Sequence, residues 1–301
     1  MIKDRSGNII PESGSQDRAL KLLYRTLPGR IVLKALTAPV VSKIVGGFMD
    51  SPLSVFMIKS FIKNNGINMD DFLPERYGSY NAFFTRKIKP GARPVDMKES
   101  HLISPCDSKL TVYEITENSR FSIKNSSYSV AELTMSKKAA EKYKGGLCMI
   151  FRLCVDDYHR YCYIDDGVKS VNKFIPGELH TVNPIALERY NIYKRNSREC
   201  TVLRTENFGD VMQTEVGAMM VGRICNLHGA GKIRRGEEKG RFEFGGSTIV
   251  LLFEKNKVVP DSDILANSAQ GTETVIRYGE KIGVKWQRRG APGGDSRWRS
   301  L

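Results

Sequence analysis

Apolar and polar positions along the chain divide it into a helical first third and a β-rich remainder. Residues 19–63 carry apolar clusters at helical spacing, which predicts several short helices. Because proline and paired glycines end helical runs, we expect these helices to be interrupted. The interruptions are predicted at Pro28, Pro39, Gly46, Gly47 and Pro52.

From His101 onward, short β-prone runs alternate with turn residues. The runs are KLTVYEI (109–115), FSI (121–123), LCMIFRLCV (147–155), YCYI (161–164), TVLRT (201–205), VMQTEVGAMMVGRI (211–224), STIVLLFEK (247–255) and ETVIRYGEKIGVKW (273–286). One segment, VAELTMSKKAAEKY (130–143), keeps helical periodicity. We therefore predict an α+β protein, with a helical N-terminal segment followed by a β-rich core of antiparallel sheets.

The charge balance is strongly basic and narrows the choice of partners. The chain has 301 residues with 47 Lys and Arg against 33 Asp and Glu, a formal net charge of +14. Such an excess favours a polyanionic neighbour, which can be nucleic acid, an anionic membrane or an anionic substrate. No run approaches 18 consecutive apolar residues, so no transmembrane helix is expected.

Cysteine usage and the N-terminus favour a reducing compartment. The six cysteines form no CxxC pair, which argues against a zinc ribbon or a thioredoxin-type motif. The first residues, MIKDRSGNII, lack the apolar core of a signal peptide. Free thiols are therefore expected, and no metal site is predicted.

Most of the charge in residues 19–63 has one sign. This stretch contains seven basic side chains and a single acidic one, Asp50, and apolar clusters lie between the charged positions. A basic amphipathic segment suits a membrane interface, where buried apolar area and attraction to anionic headgroups add together. A helical hairpin packed on its own domain has the same pattern, so both interpretations stay open.

Two histidines stand in contexts that can carry chemistry. His159, in VDDYHRYCYIDDG, is surrounded by aromatic residues, carboxylates and an arginine. It is also the side chain of these motifs expected to titrate near neutral pH. His180, in PGELHTVNP, lies in a proline-bounded loop that can line a site. A lone histidine is more often structural, so neither position decides the function by itself.

A serine after two glycines offers a possible nucleophile. Gly245 and Gly246 precede Ser247, and the apolar run IVLLF follows it. Glycines allow backbone geometries closed to other residues, so the Ser247 hydroxyl can be aimed at its own preceding carbonyl. The simpler interpretation is a hairpin turn that enters a buried strand.

Asp107, in SPCDSKL, completes an Asp, His, Ser order along the chain with His159 and Ser247. Such a set can orient an imidazole and activate a hydroxyl. Chain order alone is weak support, since long sequences contain many such triples. No GxSxG elbow is present, which disfavours an α/β-hydrolase.

Five motifs taken together are far more specific than any one of them. SPCDSKL, DYHRY, PGELHTVNP, EVGAMMVGRI and KGRFEFGGSTIVLLFEK occur in this order. With them the chain resembles the phosphatidylserine decarboxylase proenzyme family of bacterial type, over roughly residues 77–283. FFTRKIKPGARPV, before the first motif, is similar to the family's approach to its core.

The resemblance implies an enzyme that makes its own cofactor. In the family, the serine of a Gly-Ser-Thr motif attacks the preceding carbonyl, and the resulting ester becomes an N-terminal pyruvoyl group. Carried to this chain, the cut falls between Gly246 and Ser247 and leaves a heterodimer of residues 1–246 and 247–301. The pyruvoyl ketone can form a Schiff base with the amine of phosphatidylserine and accept the electrons released with carbon dioxide. The product is phosphatidylethanolamine.

The resemblance also assigns the site. Asp107, His159 and Ser247 are expected to be catalytic, and Tyr158, His180 and Cys162 are possible lining residues of the substrate site. The family often has a second histidine where this chain has Cys162, and a neutral thiol is a poor proton acceptor. We therefore expect His159 to serve both self-cleavage and decarboxylation, although cleavage driven mainly by strain remains open. Ser108 replaces a glycine often seen after the motif aspartate.

The resemblance completes the predicted domain organisation. Residues 1–76 form a helical, membrane-associating region, 77–285 the catalytic core and 286–301 a disordered basic tail. Peripheral attachment to the cytoplasmic side of the cell membrane is expected, with no nucleic-acid partner. Two other hypotheses stay open: a non-catalytic basic protein that binds nucleic acid or membranes, and a serine hydrolase that uses the same triple.

Overall fold

The fold was obtained as a computed structural model. It describes residues 1–11, 39–123, 126–178, 192–217, 223–243 and 247–287, together with positions 26, 29 and 32. The predicted features that lie outside these residues are most of the segment before Pro39, His180, Gly245, Gly246 and the tail from residue 288 onward.

The described residues form the α+β fold that the pattern predicts. The helices are α1 (Pro39–Asp50), α2 (Met57–Asn65), α3 (Tyr80–Phe84), α4 (Val130–Thr134), α5 (Lys137–Tyr143), α6 (Ile192–Arg195) and α7 (Ser262–Ala269), with 3₁₀ helices at Pro52–Phe56 and Met69–Asp71. The strands are β1 (Ile2–Lys3), β2 (Ile9–Ile10), β3 (His101–Ile103), β4 (Ser108–Glu114), β5 (Arg120–Ile123), β6 (Ser126–Ser129), β7 (Leu147–Leu153), β8 (Arg160–Cys162), β9 (Gly167–Lys169), β10 (Lys173–Ile175), β11 (Arg198–Thr205), β12 (Gly209–Val216), β13 (Ile224–Asn226), β14 (Gly231–Ile233), β15 (Glu238–Phe242), β16 (Ser247–Phe253), β17 (Val258–Pro260), β18 (Glu273–Ile276) and β19 (Lys281–Lys285).

The main sheet places β16 between two long neighbours. Its strand order is β14-β9-β11-β12-β16-β7-β4-β18-β1-β2, and β10 also pairs with β11. Both partners of β16 run antiparallel to it, with Thr248 opposite Val216 of β12 and Ser247 opposite Leu153 of β7. The central position therefore fixes the backbone of β16 from both sides.

Both faces of this sheet are covered, which explains the continuous apolar run in β16. Val250 and Leu252 belong to the core under α4, α5 and the β5–β6 hairpin. Ile249 and Leu251 belong to the core under the small sheets β13-β15-β8 and β17-β19-β3. Side chains alternate across a strand, so a strand buried on both faces loses its polar alternation. Every residue of β16 is buried, as predicted.

Two helix predictions need correction. Helix α1 continues through Gly46 and Gly47, where an interruption was predicted. Its Val45 and Met49 pack in the apolar cluster of the helical segment, and this tertiary packing outweighs the low helix propensity of glycine. The run 130–143 is two helices, because Met135 adopts a left-handed conformation with φ of 50° and Ser136 caps α5 through the amide of Ala139.

The helical segment forms a small core of its own beside the sheet. Met49, Ile58, Tyr80, Phe83 and Phe84 are its buried members. Helix α3 thus packs against α1 and α2. The N-terminal strands β1 and β2, which were not predicted, extend the main sheet, because β1 pairs with β18 and β2 pairs with β1. No helix among the described residues has the length and apolarity needed to cross a bilayer. The domain divisions at 76/77 and 285/286 stay predictions.

Candidate active site

The strand register brings three predicted residues to one end of the main sheet. Ser247 opens β16, and its partner Leu153 closes β7. Arg152 of β7 pairs with Lys109 of β4, so β4 begins at the end of the sheet where β7 finishes. Asp107 directly precedes β4 and therefore lies at that end too. His159 follows in the loop that leaves β7. Asp107 and Ser247 thus lie at the same end of neighbouring strands, and His159 lies in the loop beyond it.

The hydroxyl of Ser247 is buried at the start of the central strand. The residue is fully buried, and Oγ has no hydrogen-bond partner among the described residues. Its side chain lies on the face of β16 that carries Ile249 and Leu251, towards the core that includes Cys162 and Phe242. Buried hydroxyls in native proteins are usually hydrogen-bonded. Ser247 Oγ shares its lack of a partner among the described residues with Ser108 Oγ and Thr248 Oγ1, and its place directly after the two glycines distinguishes it from them.

His159 is held in one tautomer by the backbone. Its Nδ1 lies 2.9 Å from the carbonyl oxygen of Asp157, and a carbonyl only accepts, so Nδ1 carries the proton. Nε2 is buried without a partner among the described residues and presents a lone pair. The ring lies against Phe84 of α3, with centroids 4.1 Å apart.

The expectation that His159 titrates near neutral pH is wrong. The side chain is completely buried, and this burial lowers the pKa of His159 to about 3. The nearby charges of Arg86 and Lys109 lower it further, while Asp157 opposes them. At neutral pH the imidazole is therefore uncharged, which suits a proton acceptor and not a standing proton donor.

An ion pair that the sequence did not indicate fixes the loop before His159. Lys109 Nζ lies 2.7 Å from both carboxylate oxygens of Asp157. The same carboxylate accepts the amide of Cys154 at 2.6 Å, which closes the turn. Although burial opposes the charge, Asp157 raises the pKa of Lys109 above its usual value. The pair therefore holds the carbonyl that orients His159.

Asp107 has a different partner from the one expected. Its carboxylate accepts two hydrogen bonds from Arg93 Nε, at 3.0 and 3.1 Å, and one from Arg93 Nη2 at 2.8 Å. It also accepts the backbone amide of Tyr278 at 2.7 Å. No hydrogen bond joins Asp107 to His159. Arg93 lies in the GARPV stretch of the family resemblance, but nothing in the sequence indicated this pairing.

The predicted lining residues differ in what the structure says of them. Tyr158 is buried, and its ring lies between those of Phe72 and Tyr278 at 6.1 and 6.0 Å. Cys162 is fully buried in β8, and burial raises the pKa of its thiol to about 12. It is therefore a neutral thiol that cannot replace an imidazole as base. His180 and Gly246 lie outside the described residues.

One group of possible metal ligands lies beside the site. Ligand atoms of Cys154, Asp156 and Asp157 come within 4.8 Å of one another. Two of them are already engaged, because Asp157 pairs with Lys109 and the Cys154 thiol accepts from Arg152 Nη1 at 3.0 Å. Two cations in contact with the group disfavour a metal ion there.

A family model and three similar bacterial proteins all carry the description phosphatidylserine decarboxylase. The family model for phosphatidylserine decarboxylase matches residues 80–284, more than half of the chain. The phosphatidylserine decarboxylase proenzyme 2 of Clostridium acetobutylicum is 50% identical over 265 residues, covering 88% of this chain and 91% of that protein. The phosphatidylserine decarboxylase proenzyme of Clostridium tetani is 46% identical over 250 residues, with coverages of 81% and 84%. The corresponding protein of Clostridium kluyveri is 41% identical over 282 residues, with coverages of 92% and 95%.

Proposed function

The chain belongs to the phosphatidylserine decarboxylase family, and on that premise we propose that it is a proenzyme that cuts itself before Ser247 and then converts phosphatidylserine to phosphatidylethanolamine. As a member of this family it is a decarboxylase, a carboxy-lyase. The observation that carries the proposal is the Ser247 hydroxyl, buried without a partner among the described residues at the first position of the central strand.

Self-cleavage follows from this hydroxyl and the neutral imidazole of His159. Ser247 Oγ attacks the carbonyl carbon of Gly246, its proton passes to His159 Nε2, and the peptide C–N bond breaks as an ester forms. The protonated imidazole then returns the proton to the departing amine. Because the pKa of His159 is far below neutral, the ring gives up this proton readily. β-Elimination then releases the Gly246 carboxylate as the new end of the long chain and leaves dehydroalanine at residue 247. Water hydrolyses its imine tautomer to the pyruvoyl group of the short chain, and ammonia leaves.

The pyruvoyl group supplies a ketone that takes up the substrate amine and accepts the electrons freed when carbon dioxide leaves. The protein supplies the surroundings. Ser247 is fully buried and pairs with Leu153 of β7. The next residue, Thr248, pairs with Val216 of β12, so strands on both sides hold this part of β16. A dry, preorganised position strengthens the electrostatic interactions that reach the reacting carbon.

Asp107 takes a positioning role in this proposal. Its carboxylate joins Arg93 to the backbone of Tyr278, so it ties the turn before β4 to the segment after β18. Arg93 also reaches Asp71 at 3.0 Å, which extends the connection to the helical segment. A hydrolase built on the same triple would need Asp107 on the imidazole, and this hydrogen bond is not formed.

The two chains are expected to stay together after the cut. β16 is paired along its length with β12 and β7, which both belong to residues 1–246. β18 pairs with β4 and β1, and β19 pairs with β3. Cleavage removes one peptide bond and none of these ladders. We therefore propose a tight heterodimer of 1–246 and 247–301.

We propose a membrane-docking patch on the helical segment, consisting of Ile44, Phe48, Leu53, Val55 and Phe56. Leu53 and Phe56 are 73% and 77% exposed and lie one turn apart in the 3₁₀ helix. Ile44 and Phe48 lie one turn apart on α1. A cluster of exposed apolar side chains marks an interaction surface.

The charge around the docking patch favours a lipid surface as its partner. Lys59 and Lys63 are exposed on α2, which follows the patch directly. Anionic lipids attract basic residues beside an apolar surface. We therefore propose peripheral attachment to the cytoplasmic leaflet of the cell membrane, which carries such lipids.

Intact-mass measurement of the purified, denatured protein tests the central proposal. Two chains are expected, 1–246 and 247–301, with the shorter one blocked to Edman chemistry and captured by hydroxylamine. A single intact chain with decarboxylase activity would sink the proposal. A hydrolase would instead label at Ser247 with a fluorophosphonate on an intact chain.

A further inference from the structure

Arg86 is a buried cation whose charge is largely uncompensated by the residues that the structure describes. It follows the cap of α3 and is 1% exposed. Its guanidinium lies 4.2 Å from the ring centroid of Phe72 and 4.8 Å from that of Phe83. Nη1 makes one long contact of 3.5 Å to the Phe83 carbonyl, and Nε and Nη2 have no hydrogen-bond partner among the described residues.

Other deeply buried arginines of the described chain are compensated. The partners are Glu273 for Arg152, Asp165 for Arg235, and the carbonyls of Leu133, Asn196 and Glu132 for Arg198. A buried charge is costly unless hydrogen bonds or an opposite charge compensate it, and ring contacts alone do not replace the hydrogen bonds that a guanidinium makes in water. Burial lowers the pKa of Arg86 to about 10. The guanidinium is therefore still charged at neutral pH, and its burial remains unfavourable.

Arg86 lies beside the candidate active site. Its charge is close enough to lower the pKa of His159, and the charge of Asp107 acts on Arg86 in turn. The chain holds this arrangement, because Arg160, next to His159, donates from Nε and Nη2 to the carbonyl of Thr85, next to Arg86. These two hydrogen bonds link the backbone next to Arg86 to the residue that follows His159.

We propose that Arg86 binds the phosphodiester of the lipid headgroup and so places the amine of the substrate at the reacting centre. The inference rests on the proposed function and adds a subsite to it. The guanidinium presents a planar set of donors that fits two phosphate oxygens, and two of its nitrogens are uncommitted. A phosphodiester carries one negative charge, which matches the single positive charge of the guanidinium.

The phosphate is a better occupant than the carboxylate of the serine headgroup. Decarboxylation removes the charge of that carboxylate, so its negative charge is smaller in the transition state than in the bound substrate. A guanidinium on it would stabilise the ground state more than the transition state and slow the reaction. The phosphate charge does not change during the reaction, so binding it costs no rate.

The test measures how much a phosphate contributes to amine capture. Matured wild-type protein and R86Q are incubated with glycerophosphoethanolamine or ethanolamine, and the amine adduct on the short chain is trapped with borohydride and quantified by mass. In wild type we expect the phosphate-bearing amine to half-saturate at about a 10- to 100-fold lower concentration, the range of a charge-assisted hydrogen bond. In R86Q the two half-saturating concentrations should differ by less than about threefold.

The matched control is K87Q, which removes a neighbouring charge that is exposed. It should keep the wild-type preference. An undiminished preference in R86Q overturns the inference. So does a result in which R86Q reduces only the difference between glycerophosphoserine and glycerophosphoethanolamine, because that places Arg86 on the carboxylate.

Failure of the proposed function looks different, since wild type would then form no short chain and trap neither amine. If R86Q folds but does not cut itself, S247A and S247A/R86Q are compared for glycerophosphoethanolamine binding by calorimetry, because neither needs to mature. Weaker binding by the double variant supports the subsite. Equal binding overturns it.

Discussion

Two regions of the molecule each bury a serine completely, and they use it in opposite ways. Ser54, in the helical segment, donates to the carbonyls of Met49 and Ser51 at 3.1 and 2.7 Å and accepts the amide of Tyr80 at 2.8 Å. Ser247, in the central strand, has no such partner among the described residues. The first hydroxyl holds α1, the 3₁₀ helix and α3 together, whereas the second is left for chemistry.

The same contrast applies to buried arginines with the regions exchanged. Arg198 of the sheet is saturated by backbone carbonyls, whereas Arg86 of the helical segment is not. Each region therefore contributes an uncommitted polar group to the candidate site, a hydroxyl from the sheet and a cation from the helices. The proposed site is a joint product of a rigid core and a smaller layer that faces the proposed membrane surface.

The largest expected effect separates the two serines. Ser247→Ala should leave one uncut 301-residue chain with no decarboxylase activity, because no other group replaces the attacking oxygen. Ser54→Ala should cut itself normally and lose about 1–3 kcal/mol of unfolding free energy, since it leaves a buried amide unpaired. Intact mass and urea unfolding measure the two outcomes. Normal processing of the Ser247 variant would contradict the assigned nucleophile.

The next effect concerns the proton acceptor. His159→Gln should slow self-cleavage by about 10²- to 10⁴-fold, the usual contribution of a general base. Freshly synthesised precursor, followed by gel at constant temperature, gives the rate. Gln at this position keeps a hydrogen-bonding side chain, so thermal unfolding of the uncut protein serves as the folding control.

The pH dependence of cleavage follows from the burial of His159. The acting form is the neutral one, which dominates above a pKa of about 3. Wild-type cleavage should therefore change little between about pH 7.5 and about pH 5.5. An imidazole with its ordinary pKa would lose about tenfold over that range, because protonation removes the base. A tenfold decline would show that His159 is hydrated in the reacting precursor.

Much of the sheet was predictable from the sequence, because two-sided burial of β16 leaves a run of apolar residues that admits few alternatives. The position of Ser247 at the start of that strand followed from the same run. The helical segment was less predictable. Gly46 and Gly47 do not break α1, since packing of that helix on α3 is decided by residues far along the chain.

Pairings of charged residues were not predictable, because they depend on the three-dimensional register. Asp107 was assigned to His159 by chain order, yet the fold gives its carboxylate to Arg93. Lys109 lies in the SPCDSKL motif and Asp157 in the DYHRY motif, but only the alignment of β4 with β7 shows that they meet. The pKa of His159 is likewise a property of its burial and not of the residues beside it in the sequence.

A fourth prediction tests the ion pair between Lys109 and Asp157. Lys109→Met should lower the free energy of unfolding by about 3 kcal/mol, because it strands a largely buried Asp157 carboxylate. Cleavage should also slow, since the carbonyl that orients His159 belongs to Asp157. Adding Asp157→Asn should recover part of the stability, because the stranded charge is gone. Equal stability of the single variant and wild type would contradict a compensated buried pair.

The smallest effect belongs to the docking patch, where the helical segment differs most from the core. Leu53→Ser with Phe56→Ser should reduce partitioning onto vesicles of anionic phospholipid by about tenfold or more, because two apolar side chains no longer enter the interface. Unfolding free energy and self-cleavage should stay unchanged, since both side chains are mostly exposed. Val171→Ser changes an apolar residue that is 69% exposed after β9, on the sheet, and serves as the matched control. Vesicle sedimentation at low and high salt measures both, and equal loss in the control would assign lipid binding to general apolar exposure instead of the patch.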